Sequence, residues 1–402
     1  NISTYFIMNS GYLLILGAGI YQLPLIKKAK KMGVSTLVIS PLGNYPGIKF
    51  ADKHLNINTK DYKKISEICK SEKVLGAITS GSDACVPTIG KLVEDFKLKG
   101  TTFEGCKNSS NKLLMKRIFK KKNIPTADYS ICTNFKEAIR AADKLGYPII
   151  IKPINSSGSR GVTKVKNKKK LFESWENAKL ISNKKPIIVE KFIDGIEYGA
   201  DIFIQSKKVI KVIIHNKTIT SPPLNVPIGH SLPSRTNTTI NNNFDEIAER
   251  ITKGFYLDNT VCNVDFIIQG NNLYILEIGA RIGATCIPEI ITVNTGVDIY
   301  SFLIEQALGM CPKLKPKLNQ PCASILLKSD YSGFIKEIIL PDNLNSDKRI
   351  VDFQLDTSKN LYVKRFTNGS HRLGHIVLKE KSSKIAESQL QRITEKIKFL
   401  YL

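Results

Sequence analysis

Two acidic residues interrupt otherwise apolar stretches, Asp265 in "VCNVDFII" and Glu277 in "LYILEIGAR". An unpaired carboxylate in such a stretch carries a heavy desolvation penalty, so each either faces solvent at a strand edge or meets a cation. Residues 259–281 read as a hairpin turning at Gly270-Asn271-Asn272. Two acids on its paired strands can converge on one metal ion. Arg281 follows close behind Glu277.

Further upstream, Lys152 ends the apolar run "IIIKP", and the loop "SSGSRGV" (156–162) comes next. Ser156, Ser157, Gly158 and Gly161 make that loop short in side chain and rich in accessible backbone N–H groups. Lys112 opens a helix, Glu190 ends the strand "IIVE", and Glu197 lies a short way beyond it. A nucleoside triphosphate asks for this set: cationic side chains and amide donors for phosphates, and hard carboxylate oxygens for the magnesium that bridges them. Each part alone has a plainer explanation. A strand-end lysine is usually solvated, and a serine-glycine loop is usually a turn.

The elements that must position these residues follow from periodicity. "YLLILG" (12–17), "STLVIS" (35–40) and "VLGAITSG" (74–81) read as buried strands. They alternate with amphipathic helices at 22–33, 62–72 and 84–98. That alternation predicts a parallel sheet with crossover helices over residues 11–110. The turn "GAGIYQ" (17–22) lacks the third glycine of a dinucleotide fingerprint, and Ser40 and Pro41 stand where a ribose-binding acid is expected. A nicotinamide or flavin site is therefore not expected. Helices are predicted at 111–125 and 134–148, both stopped by proline, then a strand, the loop and a returning strand "GVTKVK". Residues 186–216 read as a strand, a connector and two long strands, 244–255 and 296–310 as helices, and the chain after Pro312 as short strands with a charged helix from about Ser382.

The series from Asn111 to Glu277, in its order and spacing, resembles the ATP-grasp superfamily of ligases, over roughly residues 11–310. The resemblance implies an α/β fold in four parts. These are a parallel α/β domain (11–110), a small lobe with its flap (111–185), a large lobe with the metal site (186–312) and a small β-rich C-terminal domain (313–402). It implies that Lys112 and Lys152 contact phosphates and that Ser156, Ser157 and Gly158 belong to a flap over them. Glu190 would meet the adenine amino group, with the backbone of Lys191 and Ile193 beside it. Glu197 would accept from the ribose, and Leu276 would floor the adenine slot. Asp265 and Glu277 would bind Mg²⁺ or Mn²⁺, and Arg281 would face an acyl phosphate. The family pattern Glu-x-Asn-x-Arg is broken here, because "EIGAR" places Gly279 where the asparagine would help hold a second ion.

The implied reaction activates a carboxylate with ATP and joins it to an amine. A bicarbonate-dependent carboxylase of the purine type is the alternative. On the acceptor side, Ser82 and Asp83 lie at the end of a strand where open α/β sheets present ligands. His230 and Arg235 fall in the proline-rich stretch 221–236, read as a long connection that could wall the substrate pocket. Thr285, Cys286 and Glu289 follow Arg281, and Cys286, with no adjacent histidine, reads as a packing residue.

The eight cysteines are scattered, without a C-x-x-C pair, which fits a reducing cytoplasm better than a disulfide framework. No run of eighteen apolar residues is present, and no signal-peptide pattern is read. The net charge of +25 suits a nucleic-acid binder, but the lysines are spread along the whole chain without interleaved aromatics. Small carboxylates and amines are the expected partners, with nucleic acid a remote alternative. Dimers are common among such ligases, and no interface is legible in the sequence.

Overall fold

The computed structural model describes residues 10–154, 161–183, 185–222, 224–342, 344 and 346–402. Ser156, Ser157 and Gly158 lie outside the described residues. The N-terminal part is a four-stranded parallel sheet of β1 (Tyr12–Leu16), β2 (Thr36–Ser40), β3 (Lys53–Asn56) and β4 (Val74–Ile78), in the order β3-β2-β1-β4. β1 and β2 are buried almost throughout, which is why they read as unbroken apolar runs. The short, half-exposed β3 carries no such run and had no signal in the sequence. The turns after β1 and β4 meet at the carboxyl edge, where the side chain of Gln22 donates to the carbonyl of Ser80.

The small lobe is an antiparallel sheet of β5 (Tyr129–Cys132), β6 (Ile149–Pro153), β7 (Thr163–Val165) and β8 (Ile187–Lys191), ordered β5-β8-β6-β7. One face packs on helices Phe135–Leu145 and Leu171–Ser182 through Ile149, Ile151, Ile187, Val189 and Trp175. The strand period of two therefore turns Ile150, Lys152, Ile188 and Glu190 to the other face.

The large lobe begins with β9 (Ile196–Gln205), β10 (Lys208–Ile219), β11 (Pro227–Leu232), β12 (Thr260–Gln269) and β13 (Asn272–Gly279). Six more strands follow: β14 (Cys322–Leu327), β15 (Gly333–Ile339), β16 (Ile350–Leu355), β17 (Tyr362–Val363), β18 (Gly374–Lys379) and β19 (Lys398–Tyr401). Three of these extend the large-lobe sheet, giving one eight-stranded antiparallel sheet ordered β13-β12-β9-β10-β11-β14-β18-β16. β17, β15 and β19 form a small separate sheet. The helix Ser383–Lys396, capped by Ser382 as its sequence suggests, packs on β14.

The stretch 221–236 differs from its reading as a long connection. Its middle is β11, which pairs with β10 and β14 in the centre of the sheet. Prolines mask the strand, and Gly229 is required there because a Cβ would stand 2.3 Å from the Ser324 carbonyl oxygen.

Tyr198, Ala200, Ile202 and Ile204 of β9, with Cys262, Val264 and Phe266 of β12, face the main core. The alternate residues Glu197, Asp201, Asn263 and Asp265 therefore share the opposite face. β13 would break this rule without a bulge. Asp265 pairs with Glu277, but Phe266 pairs with Ile275, so Leu276 is the extra residue. Ile275 and Ile278 both reach the core while Leu276 and Glu277 stay half-buried between them. A regular strand carrying Ile275 inward would carry Glu277 inward as well. The bulge turns that carboxylate out.

Gly199 lies opposite His215 on β10, and a Cβ there would sit 2.1 Å from the His215 ring. Gly199→Ala should force the imidazole out of place and cost about 1–3 kcal/mol, read as a lowered denaturation midpoint in urea.

Candidate active site

The helix Lys112–Lys121 lies between the lobes and is capped by the Asn111 side chain, which accepts from the N–H groups of Leu113 and Leu114. Its buried residues Lys112, Met115, Lys116 and Phe119 follow helical spacing. Met115 and Phe119 enter the main core. The two lysines, one turn apart, serve different lobes. Lys112 Nζ is 2.7 Å from Glu277 Oε1 of the large lobe, and Lys116 Nζ is 2.8 Å from Glu190 Oε2 of the small lobe.

Glu190 is buried between two cations, since Lys152 Nζ reaches its Oε1 at 2.6 Å. Burial pushes its carboxyl upward, but the charges of Lys152 and Lys116 outweigh that and hold it down at about 2. Burial pulls Lys116 down to about 8 despite the pull of Glu190, and Lys116 also donates to Thr126 Oγ1 at 2.6 Å.

On the sheet face, Lys217 of β10 is buried between Glu197 and Asp265, 2.9 Å from Asp265 Oδ1 and in closer contact with Glu197. Burial disfavours its charge, and the two carboxylates outweigh the burial and raise its pKa. Beside it, His215 Nε2 is 3.3 Å from Asp201 Oδ2, and His215 Nδ1 is 3.1 Å from His230 Nδ1. Burial, with the neighbouring His215 and Lys217, holds His230 well below the usual histidine range. Arg281 Nη2 meets the Asp83 carboxylate at 2.7 Å, and its Nη1 donates to Asn263 Oδ1 and the Ile282 carbonyl.

The sequence-derived residues thus fall into groups. Lys112, Lys152, Glu190, Glu197, Asp265, Glu277 and Arg281 all lie in the zone where the two lobes and the N-terminal strand ends meet. Ile193 is buried, Lys191 is exposed at the end of β8, and half-buried Leu276 is the bulge residue. His230 joins the buried polar face, as a strand residue and not a loop residue. Arg235 leaves it, because its Nη1 pairs at 2.9 Å with Glu387 on the C-terminal helix. Ser82 and Asp83 sit in the turn after β4, and Asp83 engages a protein side chain, Arg281. Cys286 is buried in a left-handed conformation, and burial pushes its thiol well up.

Lys116, Lys217, His215 and Arg372 escaped the sequence reading. Lys116 could have been found from its one-turn spacing to Lys112. Lys217 and His215 show the two-residue spacing of one strand face in "HNK". Arg372, in a C-terminal segment with no pattern to mark it, is buried, donates from Nε to Asp356 Oδ2 at 2.6 Å and lies 5.3 Å from the Tyr21 ring centre.

Residues 109–285 match the model of the ATP-grasp domain. The chain therefore carries an ATP-grasp domain over these residues. It is 24% identical over 368 residues to the formate-dependent phosphoribosylglycinamide formyltransferase of Methanocaldococcus jannaschii, covering 85% of this chain and 87% of that protein. The phosphoribosylglycinamide synthetase of Anaerococcus prevotii is 26% identical and superposes with a TM-score of 0.80, over 98% of this chain and 100% of that one. An L-amino acid ligase from Bacillus licheniformis shares the fold with a TM-score of 0.84 at 16% identity, covering 98% and 99%.

ATP-grasp enzymes are ADP-forming ligases that use ATP with Mg²⁺. The donor set fits. Asp265 and Glu277 stand directly opposite each other, half-exposed, and both offer hard oxygens. No group of three or more acids, histidines or cysteines forms a metal site among the described residues. Among the described residues no helix is long and apolar enough to cross a membrane.

The folded value of Glu190, about 2, lies below its ordinary 4.5. Its contribution to stability is therefore complete above the unfolded value and is lost as pH falls through the folded one. Glu190→Gln should cost about 3 kcal/mol at neutral pH, and the gap to wild type should shrink by more than half near pH 3. Urea midpoints measured across that range check both the size and the sign.

Proposed function

We propose that this enzyme joins a small carboxylate to an amine with cleavage of ATP to ADP and phosphate. The observation that carries the reading is the convergence of Lys112, Lys116 and Lys152 with the opposed acids Asp265 and Glu277 between two lobes. Lys112 and Lys152 spread the negative charge that develops as the γ-phosphoryl passes to the substrate carboxylate. Asp265 and Glu277 would hold Mg²⁺, which would further neutralise the phosphates. Ser156, Ser157 and Gly158, outside the described residues, would offer their amides to the phosphates.

Glu190, the backbone of Lys191 and Ile193, and Leu276 hold the base, and Glu197 accepts from the ribose. The activated carbonyl then takes the amine. A C–N bond forms, the bond from carbon to phosphate oxygen breaks, phosphate leaves with the electron pair, and the nitrogen gives up a proton. Arg281 steadies the carbonyl oxygen through that exchange. The acceptor approaches along the seam where Tyr21, the turn after β4 and Arg372 come together, a position supported by the contact of Gly81 with Tyr21 and Ala284. Arg372 offers a cation to an acceptor that carries its own anionic group.

Phosphate release from MgATP, screened over amino acids, other small carboxylates, amines and bicarbonate, tests the reading. Turnover should need a carboxylate and an amine together, and should fall at least about 100-fold in Lys152→Ala and in Glu277→Ala. Turnover driven by bicarbonate would assign a carboxylase. Turnover untouched in both variants would refute the site.

A further inference from the structure

Gly279 and Asp83 compete for one space. A Cβ on Gly279 would stand 2.8 Å from Asp83 Oδ1 and 3.3 Å from Arg281 Cζ, so the carboxylate occupies the place a short side chain at 279 would fill. Asp83 comes from the N-terminal sheet, and Gly279 and Arg281 from the end of the metal-site hairpin.

We propose that Asp83 is the positioning residue for Arg281, delivered from the N-terminal domain into the gap that Gly279 leaves. Arg281 is almost enclosed, and a guanidinium there must be both neutralised and aimed. Asp83 takes Nη2 at 2.7 Å, while Asn263 and the Ile282 carbonyl take Nη1 at 3.3 and 3.2 Å. Nε is buried and has no partner among the described residues, so the Asp83 and Asn263 contacts are what fix the plane of the guanidinium. The turn bearing Asp83 is itself braced. Thr79 Oγ1 donates to the Leu16 carbonyl at 2.8 Å, Gln22 donates to the Ser80 carbonyl, and Gly81 packs against Tyr21 and Ala284. Arg281 is therefore aligned only while the N-terminal domain is docked on the lobes.

The kinetic part of this proposal rests on the ligase reading above, and the stability part does not. The experiment is a cycle of Asp83→Ala, Gly279→Asn and the double variant, with Asp83→Asn as the same-size control. In the ligase assay, Asp83→Ala should lower kcat about 10- to 100-fold while KM for MgATP stays within about twofold. Gly279→Asn, which evicts Asp83, should do the same. The double variant should regain at least about tenfold over Asp83→Ala, because the new amide fills the vacated space beside Arg281.

In urea unfolding the two single losses should likewise fail to add. Simple additivity of the unfolding losses would overturn the proposal whether or not any substrate is found. So would a kcat for Asp83→Ala and Asp83→Asn within twofold of wild type. An inactive wild type with non-additive unfolding would refute the ligase reading and leave the Asp83–Gly279 exchange standing.

Discussion

Buried charge is the constraint on which this site depends. A carboxylate or ammonium taken out of water is tolerated only beside an opposite charge with good geometry. Each enclosed ion described above has one, always from a different element. Lys116 and Lys152 flank Glu190, Lys112 meets Glu277, Lys217 bridges Glu197 and Asp265, and Arg281 meets Asp83. The pairs tie together the central helix, both lobes and the N-terminal sheet. On the function proposed, ligand binding would exchange partners, with Asp265 and Glu277 free to hold a cation once the lysines turn to phosphate.

The backbone makes these meetings possible by simple periodicities. A helix repeat sends Lys112 and Lys116 along one face, and the length of two long side chains lets that face serve both lobes. A strand repeat gathers Glu197, Asp201, His215, Lys217, Asn263 and Asp265 on the side away from the main core. The bulge at Leu276 departs from that repeat, and it is what keeps Glu277 from being driven into hydrocarbon.

The large positive charge of the chain is not what builds the site. A handful of buried lysines does that, and their charges are locally cancelled. The lysines scattered along the chain contribute a general field that would attract phosphate-bearing ligands.

Residue type and spacing singled out Lys112, Lys152, Glu190, Glu197, Asp265, Glu277 and Arg281 as candidates, and their roles came from the family resemblance; the fold joins them in ion pairs. The same local signals gave the parallel α/β start, the hairpin and the capped helices. Residues 221–236 misled because proline suppresses strand patterning in one segment, whereas neighbours on both sides of β11 decide that it is a strand. Lys217, His215 and Arg372 stayed hidden because their partners are far away in the chain. The meaning of Gly279 was hidden for the same reason. In the sequence it is only a missing asparagine; in the fold it is the room that Asp83 needs to reach Arg281 from another domain. Local order is set by neighbours along the chain, but which buried charge meets which is set by packing, and only the tertiary structure decides that.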